Sequence, residues 1–116
     1  MAGTANISSS FVITVVPSNT AATVVTNPGR SFKIVAVSAT NSTGGALTVT
    51  VTDGSNNITD GAQSIGANAS AFAELVAANL EIAATENLSV TASGTGLNPI
   101  LIYCVAEGGG QALTTA

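Results

Sequence analysis

Six carboxylates, one thiol, one lysine and one arginine are nearly all the reactive chemistry of this 116-residue chain, which has no histidine and no tryptophan. The acids are Asp53, Asp60, Glu74, Glu81, Glu86 and Glu107. Two carboxylates can cleave a glycosidic bond, but such grooves normally add aromatic platforms. Here the three phenylalanines and one tyrosine (Phe11, Phe32, Phe72, Tyr103) each stand inside an apolar run. The six acids read instead as solubilising surface charge. Cys104 lies within Ile100-Leu101-Ile102-Tyr103-Cys104-Val105-Ala106, the most apolar run, and no histidine exists to activate it. A buried, inert thiol is expected. A serine nucleophile lacks a histidine base as well, and Lys33 belongs to a strand-like segment whose wet face can carry a charge.

Asp53-Gly54-Ser55-Asn56-Asn57 offers oxygen ligands but lacks the length and terminal glutamate of an EF-hand loop, so it reads as a turn. Gly44-Gly45 and Gly108-Gly109-Gly110 precede neither Lys-Ser/Thr nor a helix, which excludes a phosphate loop. Asn-x-Ser/Thr triplets begin at Asn6, Asn41, Asn57, Asn68 and Asn87, and they matter only in a eukaryotic secretory setting. A Thr-x-Thr row could face an ordered surface such as ice, but one row flanked by dissimilar strands is not the repeated array that needs. No catalytic, cofactor-binding or metal-binding residue is expected, and the chain is read as non-enzymatic.

The elements that would position any site are strands. Leu47-Thr48-Val49-Thr50-Val51-Thr52 alternates apolar and hydroxyl side chains, and Leu88-Ser89-Val90-Thr91-Ala92-Ser93 repeats the pattern. A period of two puts one class on the buried face and the other in water. Further strands are expected at 11–16, 22–26, 31–40, 58–60 and 100–107, with the last central because it is apolar on both faces. Asn27-Pro28-Gly29 matches a type II turn, and Asp53–Asn57 a hairpin turn. The stretch 69–84 fits a helix by alanine content and by Phe72, Leu75, Val76 and Leu80. It also fits two short strands, the preferred reading in an otherwise all-β chain. The expectation is an all-β fold, an antiparallel β-sandwich, jelly-roll-like, of about eight strands. Residues 1–10 would be an N-terminal arm, 11–107 the sandwich domain and 108–116 a flexible C-terminal tail hinged on three glycines.

Charged residues make up 7% of the chain, against roughly 25% in ordinary soluble domains. With little repulsion between copies, the hydroxyl- and amide-rich surface suits contact with other protein, including its own copies. The only cations are Arg30 and Lys33 in a net charge of −4, which argues against nucleic-acid binding. No run is long and apolar enough for a membrane span. The start, Met1-Ala2-Gly3-Thr4-Ala5-Asn6, lacks the basic and apolar segments of a secretory signal.

Val35-Ala36-Val37-Ser38-Ala39-Thr40-Asn41-Ser42-Thr43-Gly44-Gly45-Ala46-Leu47-Thr48-Val49-Thr50-Val51 runs from an apolar strand through an Asn/Ser/Thr/Gly turn to a threonine-alternating strand. This segment and Asn79–Ser93 resemble small bacteriophage virion β-modules of the capsid decoration (cement) type. Those proteins commonly carry glycine and aspartate in the second turn, where this chain has Thr85 and Glu86. The resemblance implies a many-copy virion component, assembled in the host cytoplasm, that binds the major capsid protein shell as a homotrimer without cofactors. A neck, tail or fibre component is the alternative within the virion, and a cell-surface adhesive or ligand-binding module the alternative outside it. Ile7 on the arm, Phe11 on the first strand and Leu113 on the tail are the expected interface residues.

Overall fold

Branched apolar residues alternating with hydroxyls produce extended chain almost throughout. A computed structural model describes residues 3–6, 10–106 and 112–115, with side chains from 10 to 106. Among the described residues eleven strands occur in chain order: β1 Gly3–Asn6, β2 Ser10–Val15, β3 Thr23–Val25, β4 Phe32–Asn41, β5 Leu47–Thr52, β6 Gln63–Ile65, β7 Ser70–Phe72, β8 Glu81–Ile82, β9 Leu88–Ala92, β10 Leu97–Ala106 and β11 Ala112–Thr115. Among the described residues the only helical segment is a single 3-10 turn at Ala77–Asn79, and no helix is long and apolar enough to cross a membrane.

Two antiparallel sheets pack face to face. One runs β2-β10-β4-β7, with β8 on the same edge of β4 as β7; the other runs β3-β9-β5-β6. With β7 and β8 counted as one interrupted strand, the two sheets hold eight strands. The chain crosses from sheet to sheet at nearly every connection; only β5 to β6, and the continuation from β7 to β8, stay within one sheet. Between the sheets lie Ile34, Val37, Val49, Val51, Ile58, Ile65, Ile82, Leu88, Val90, Leu97, Ile100 and Ile102, each almost fully buried. Burying one such side chain contributes about 1.5–3 kcal/mol relative to leaving it exposed, so this layer holds the two sheets together.

The two strands that look apolar on both faces have separate explanations. In β4, Tyr103 pairs with Ala36 and Cys104 with Ile34, so Val35 is an extra residue in a β-bulge. The bulge reverses the parity: Phe32 and Ile34 point inward before it, and Val37, Ala39 and Asn41 after it. β10 is central, flanked by β2 and β4 as expected. Its second apolar set, Leu101, Tyr103 and Val105, is only half-buried, on the outside of the sandwich.

The ambiguous stretch 69–84 forms strands joined by the 3-10 turn. Its amides and carbonyls serve β4: Ala73 N–H donates to the Val37 carbonyl at 2.8 Å and Ile34 N–H to that of Leu80 at 2.9 Å. The strand expected at 58–60 is instead part of the β5–β6 connection, with Ile58 and Thr59 buried and an isolated bridge from Thr59 to Leu75. Ile58 and Thr59 N–H both donate to the Val51 carbonyl, and the strand that pairs with β5 opposite β9 is β6. Gly29 has φ +99°, as the type II turn at Asn27-Pro28-Gly29 requires.

The segments read as arm and tail pair with each other. β1 and β11 form an antiparallel ribbon with Gly3 opposite Thr115 and Asn6 opposite Ala112, and among the described residues neither pairs with another strand.

Candidate functional site

Two of the groups with reactive chemistry, Cys104 and Asp53, are engaged in the structure. Cys104 is buried in β10 with Sγ 3.5 Å from the Ile102 carbonyl oxygen, and burial pushes its thiol up to about 12. Burial opposes ionisation of Asp53. The Asn56 and Ser55 amides, the Asn56 side chain and Glu86 outweigh it, holding the carboxyl below its ordinary range. Lys33 stands opposite Glu81 across the β4–β8 pair. The buried polar residues are satisfied locally. Asn41 Nδ2 donates to the carbonyls of Gly45 (2.8 Å) and Ile65 (3.0 Å), and the Thr59 hydroxyl donates to the Gly61 carbonyl while accepting from Val51 N–H. Among the described residues no three His, Cys, Asp or Glu side chains come together as metal ligands would.

What remains open is surface for contact, and its two flanks differ. On the flank where β6 faces β7, hydrogen bonds stitch sheet to sheet: Asp60 N–H to the Glu74 carbonyl at 2.8 Å, Val76 N–H to that of Ile58 at 2.9 Å, and Glu74 N–H to Gln63 Oε1 at 3.0 Å. On the other flank β2 and β3 are both edge strands, and a groove of about 280 Å³ opens between them. Phe11 and Ile13 of β2, Val25 of β3, Pro28, Phe32 and Leu88 supply its apolar walls, with Arg30 at the rim. Phe11 meets Phe32 edge to face, the ring centroids 5.5 Å apart. The loop under the groove is held by Asn27. Its Oδ1 accepts from Gly29 and Arg30 N–H, and its Nδ2 donates to the Arg30 and Ala83 carbonyls.

The outer faces of the sandwich also differ. On the β2-β10-β4-β7 sheet, Tyr103 lies between Val12 and Ala36, and Leu101 lies between Thr14 and Ser38, with Phe72 beyond. Val12 is 48% exposed, Val35 52% and Phe72 71%. On the opposite sheet the register sets Thr52 against Ser89, Thr50 against Thr91, and Thr48 against Ser64. The threonine row of β5 is thus flanked by hydroxyls of both neighbours, Ser89 and Thr91 on β9 and Ser64 on β6.

Of the three residues expected at an interface, Phe11 lies at the mouth of the groove. Ile7 lies outside the described residues, and Leu113 is placed on β11 opposite Ala5, its side chain outside them. Val12, Leu101, Tyr103 and Phe72 were missed as surface residues. Strand parity counted from the ends of β2 and β10 could have found the first three, while Phe72 sat in the stretch read two ways. Neither a protein-family model nor a curated protein matches the chain.

Proposed function

We propose that this protein is a non-enzymatic structural component of a bacteriophage virion, a capsid decoration (cement) protein that binds and stabilises the assembled head shell. The observation that carries the reading is the two-sided sandwich, with a half-exposed apolar face on the β2-β10-β4-β7 sheet and a hydroxyl face opposite. Contiguous exposed apolar surface marks a protein-contact site. A neutral hydroxyl face stays wetted while the apolar face is covered. A standard contact buries about 800 Å² per partner, and only part of that burial emerges as affinity once ordering costs are met.

The strand order supports the same reading. In chain order the strands lie first-eighth-third-sixth in one sheet and second-seventh-fourth-fifth in the other, with β7 and β8 as one. We read this as a jelly roll, an architecture used in viral capsid and lectin domains. That support is analogy of fold. The resemblance of Val35–Val51 and Asn79–Ser93 to phage virion modules adds to it. The major capsid protein shell is the proposed partner, the virion surface the proposed location, and self-association as a trimer the proposed state.

The test is co-sedimentation of purified protein with bare phage heads. Saturable binding at a fixed ratio to the major capsid protein, with heads that withstand higher temperature, is expected. Heads that sediment without it at every concentration would refute the proposal.

A further inference from the structure

We infer that the groove between β2 and β3 is a binding site for a small carboxylate with a compact apolar body, the body lying among Phe11, Ile13 and Val25 and the carboxylate on Arg30. The inference concerns a small ligand and stands apart from shell binding. The groove is a gap in the seam of the sandwich. Where β6 faces β7, hydrogen bonds join the two sheets, whereas β2 and β3 are each the last strand of their sheet. Apolar side chains on the inner side are therefore left part-covered. Phe11 and Ile13 stand in register with the buried Cys104 and Ile102, yet Phe11 is 38% exposed and Ile13 and Val25 are only half-buried. Phe32 and Leu88, almost fully buried, close the bottom.

Size, walls and charge each narrow the ligand. The volume, about 280 Å³, lies close to the lower end of the roughly 300–1,000 Å³ that small-molecule sites span. Phe11 and Phe32, edge to face, offer a ring or a short alkyl chain an aromatic wall. Charge selects the polar end. The chain carries six carboxylates against two cations, yet among the described residues no carboxylate lines the groove, and Arg30 does. The other cation, Lys33, stands opposite Glu81. Arg30 is also held in place. The Asn27 side chain engages both of its backbone groups: Oδ1 accepts from Arg30 N–H at 2.9 Å and Nδ2 donates to the Arg30 carbonyl at 2.7 Å. Asn27 N–H donates to Asn87 Oδ1 at 2.8 Å, which ties this loop to the residue preceding β9. A guanidinium fork matches a carboxylate with two parallel hydrogen bonds and repels a cation, while burial of the apolar body supplies the rest of the affinity.

An NMR amide titration of the full chain tests this with four probes: phenylpropionate, phenylpropanol and phenylpropylamine, which share one apolar body, and propionate, which lacks it. Phenylpropionate at millimolar concentration should give saturable shifts at Phe11, Ile13, the loop from Val25 to Arg30, and Leu88. Phenylpropanol should bind the same residues more weakly, phenylpropylamine more weakly still, and propionate should leave them unmoved. Arg30→Gln, at an exposed position, should weaken phenylpropionate about fivefold and leave phenylpropanol within about twofold. Val25→Trp, which fills the groove, should abolish binding of both while keeping the β-type circular dichroism of the parent. Should Val25→Trp not fold, Arg30→Gln decides alone. The inference is overturned if phenylpropionate shifts nothing, if its shifts fall on the outer face around Tyr103 and Phe72, if the amine binds as well as the acid, or if Arg30→Gln binds the acid like the parent. Head binding is measured separately, so a protein that coats heads but ignores phenylpropionate would sink this inference and leave the decoration reading standing.

Discussion

Asn41 and Thr43 are locked together at the end of β4: Asn41 Oδ1 accepts from the Thr43 amide at 2.9 Å and from its hydroxyl at 2.7 Å. With Nδ2 bound to the Gly45 and Ile65 carbonyls, one buried amide satisfies the turn that launches β5 and ties it to β6. Asn41→Ala leaves several of these groups without partners away from water. A buried polar group left unsatisfied costs about 1–3 kcal/mol, so a loss of about 2–4 kcal/mol is expected for the whole set. Urea denaturation should show a lower midpoint with an unchanged slope, since the surface exposed on unfolding is the same.

Gly96 lies against Thr43 so closely that a Cβ there would collide with Thr43 Cγ2, and its φ is +139°, a conformation open to glycine. Gly96→Ala therefore combines a steric clash with backbone strain, and about 2 kcal/mol or more should be lost. Gly44, in the same turn region, has free space around its Cα and ordinary φ. Gly44→Ala should change stability by no more than about 0.5 kcal/mol. Thermal melts of the two variants beside the parent decide it, with equal effects being the contrary result.

Most of this architecture was legible because alternation is a physical signature. Leu47–Thr52 and Leu88–Ala92 became neighbouring strands with their apolar residues buried, as a period of two demands. The Val35 bulge was not legible, because an extra residue leaves no mark in a run apolar on both sides of it. Residues 58–60 misled because Ile58 and Thr59 are buried for a different reason: they tuck the β5–β6 connection into the core, with Thr59 hydrogen-bonded to Val51. β6, by contrast, is three residues of weak pattern, Gln-Ser-Ile, specified by pairing with Leu47–Val49. Phe11, named from its place on the first strand, lines the groove between β2 and β3. The groove exists only because β2 and β3 become edges of different sheets, which is a property of strand order.

Acid should weaken the fold through Asp53. Its carboxyl is held below the ordinary value of 3.8 in the folded chain. Its charged form therefore favours folding: the contribution is complete above 3.8 and fades as pH falls through the lower folded value. Unfolding midpoints measured from pH 6 downward should stay level with respect to this group and then drop in that acidic range. Asp53→Asn keeps an oxygen to accept from the Ser55 and Asn56 amides but cannot titrate, so its profile should drop less steeply there. Parallel profiles for the two proteins would count against this assignment.

Cys104 should be silent to thiol reagents while the fold is intact. Its sulfur is buried and its thiol stays protonated far above neutral pH, and the thiolate is the reacting form. An aromatic disulfide reagent at pH 8 should react within minutes in guanidinium and very slowly in buffer, at a rate set by opening of the strand. Rapid stoichiometric reaction with the native chain would contradict the burial of β10.

The two outer faces make opposite predictions for shell binding. Phe72→Lys places a charge on the apolar face at a position 71% exposed, where the parent side chain supports little of the fold. Burying that unpaired charge against a shell is unfavourable, so affinity for heads should fall about tenfold or more, a change of at least about 1.4 kcal/mol. Thr50→Lys alters the hydroxyl face, opposite Thr91 on β9, and should leave head binding within about twofold while the melting temperature confirms an intact sandwich. If Thr50→Lys abolishes binding and Phe72→Lys does not, the protein docks the other way round, with its hydroxyl lattice against the shell and its apolar face turned toward other copies.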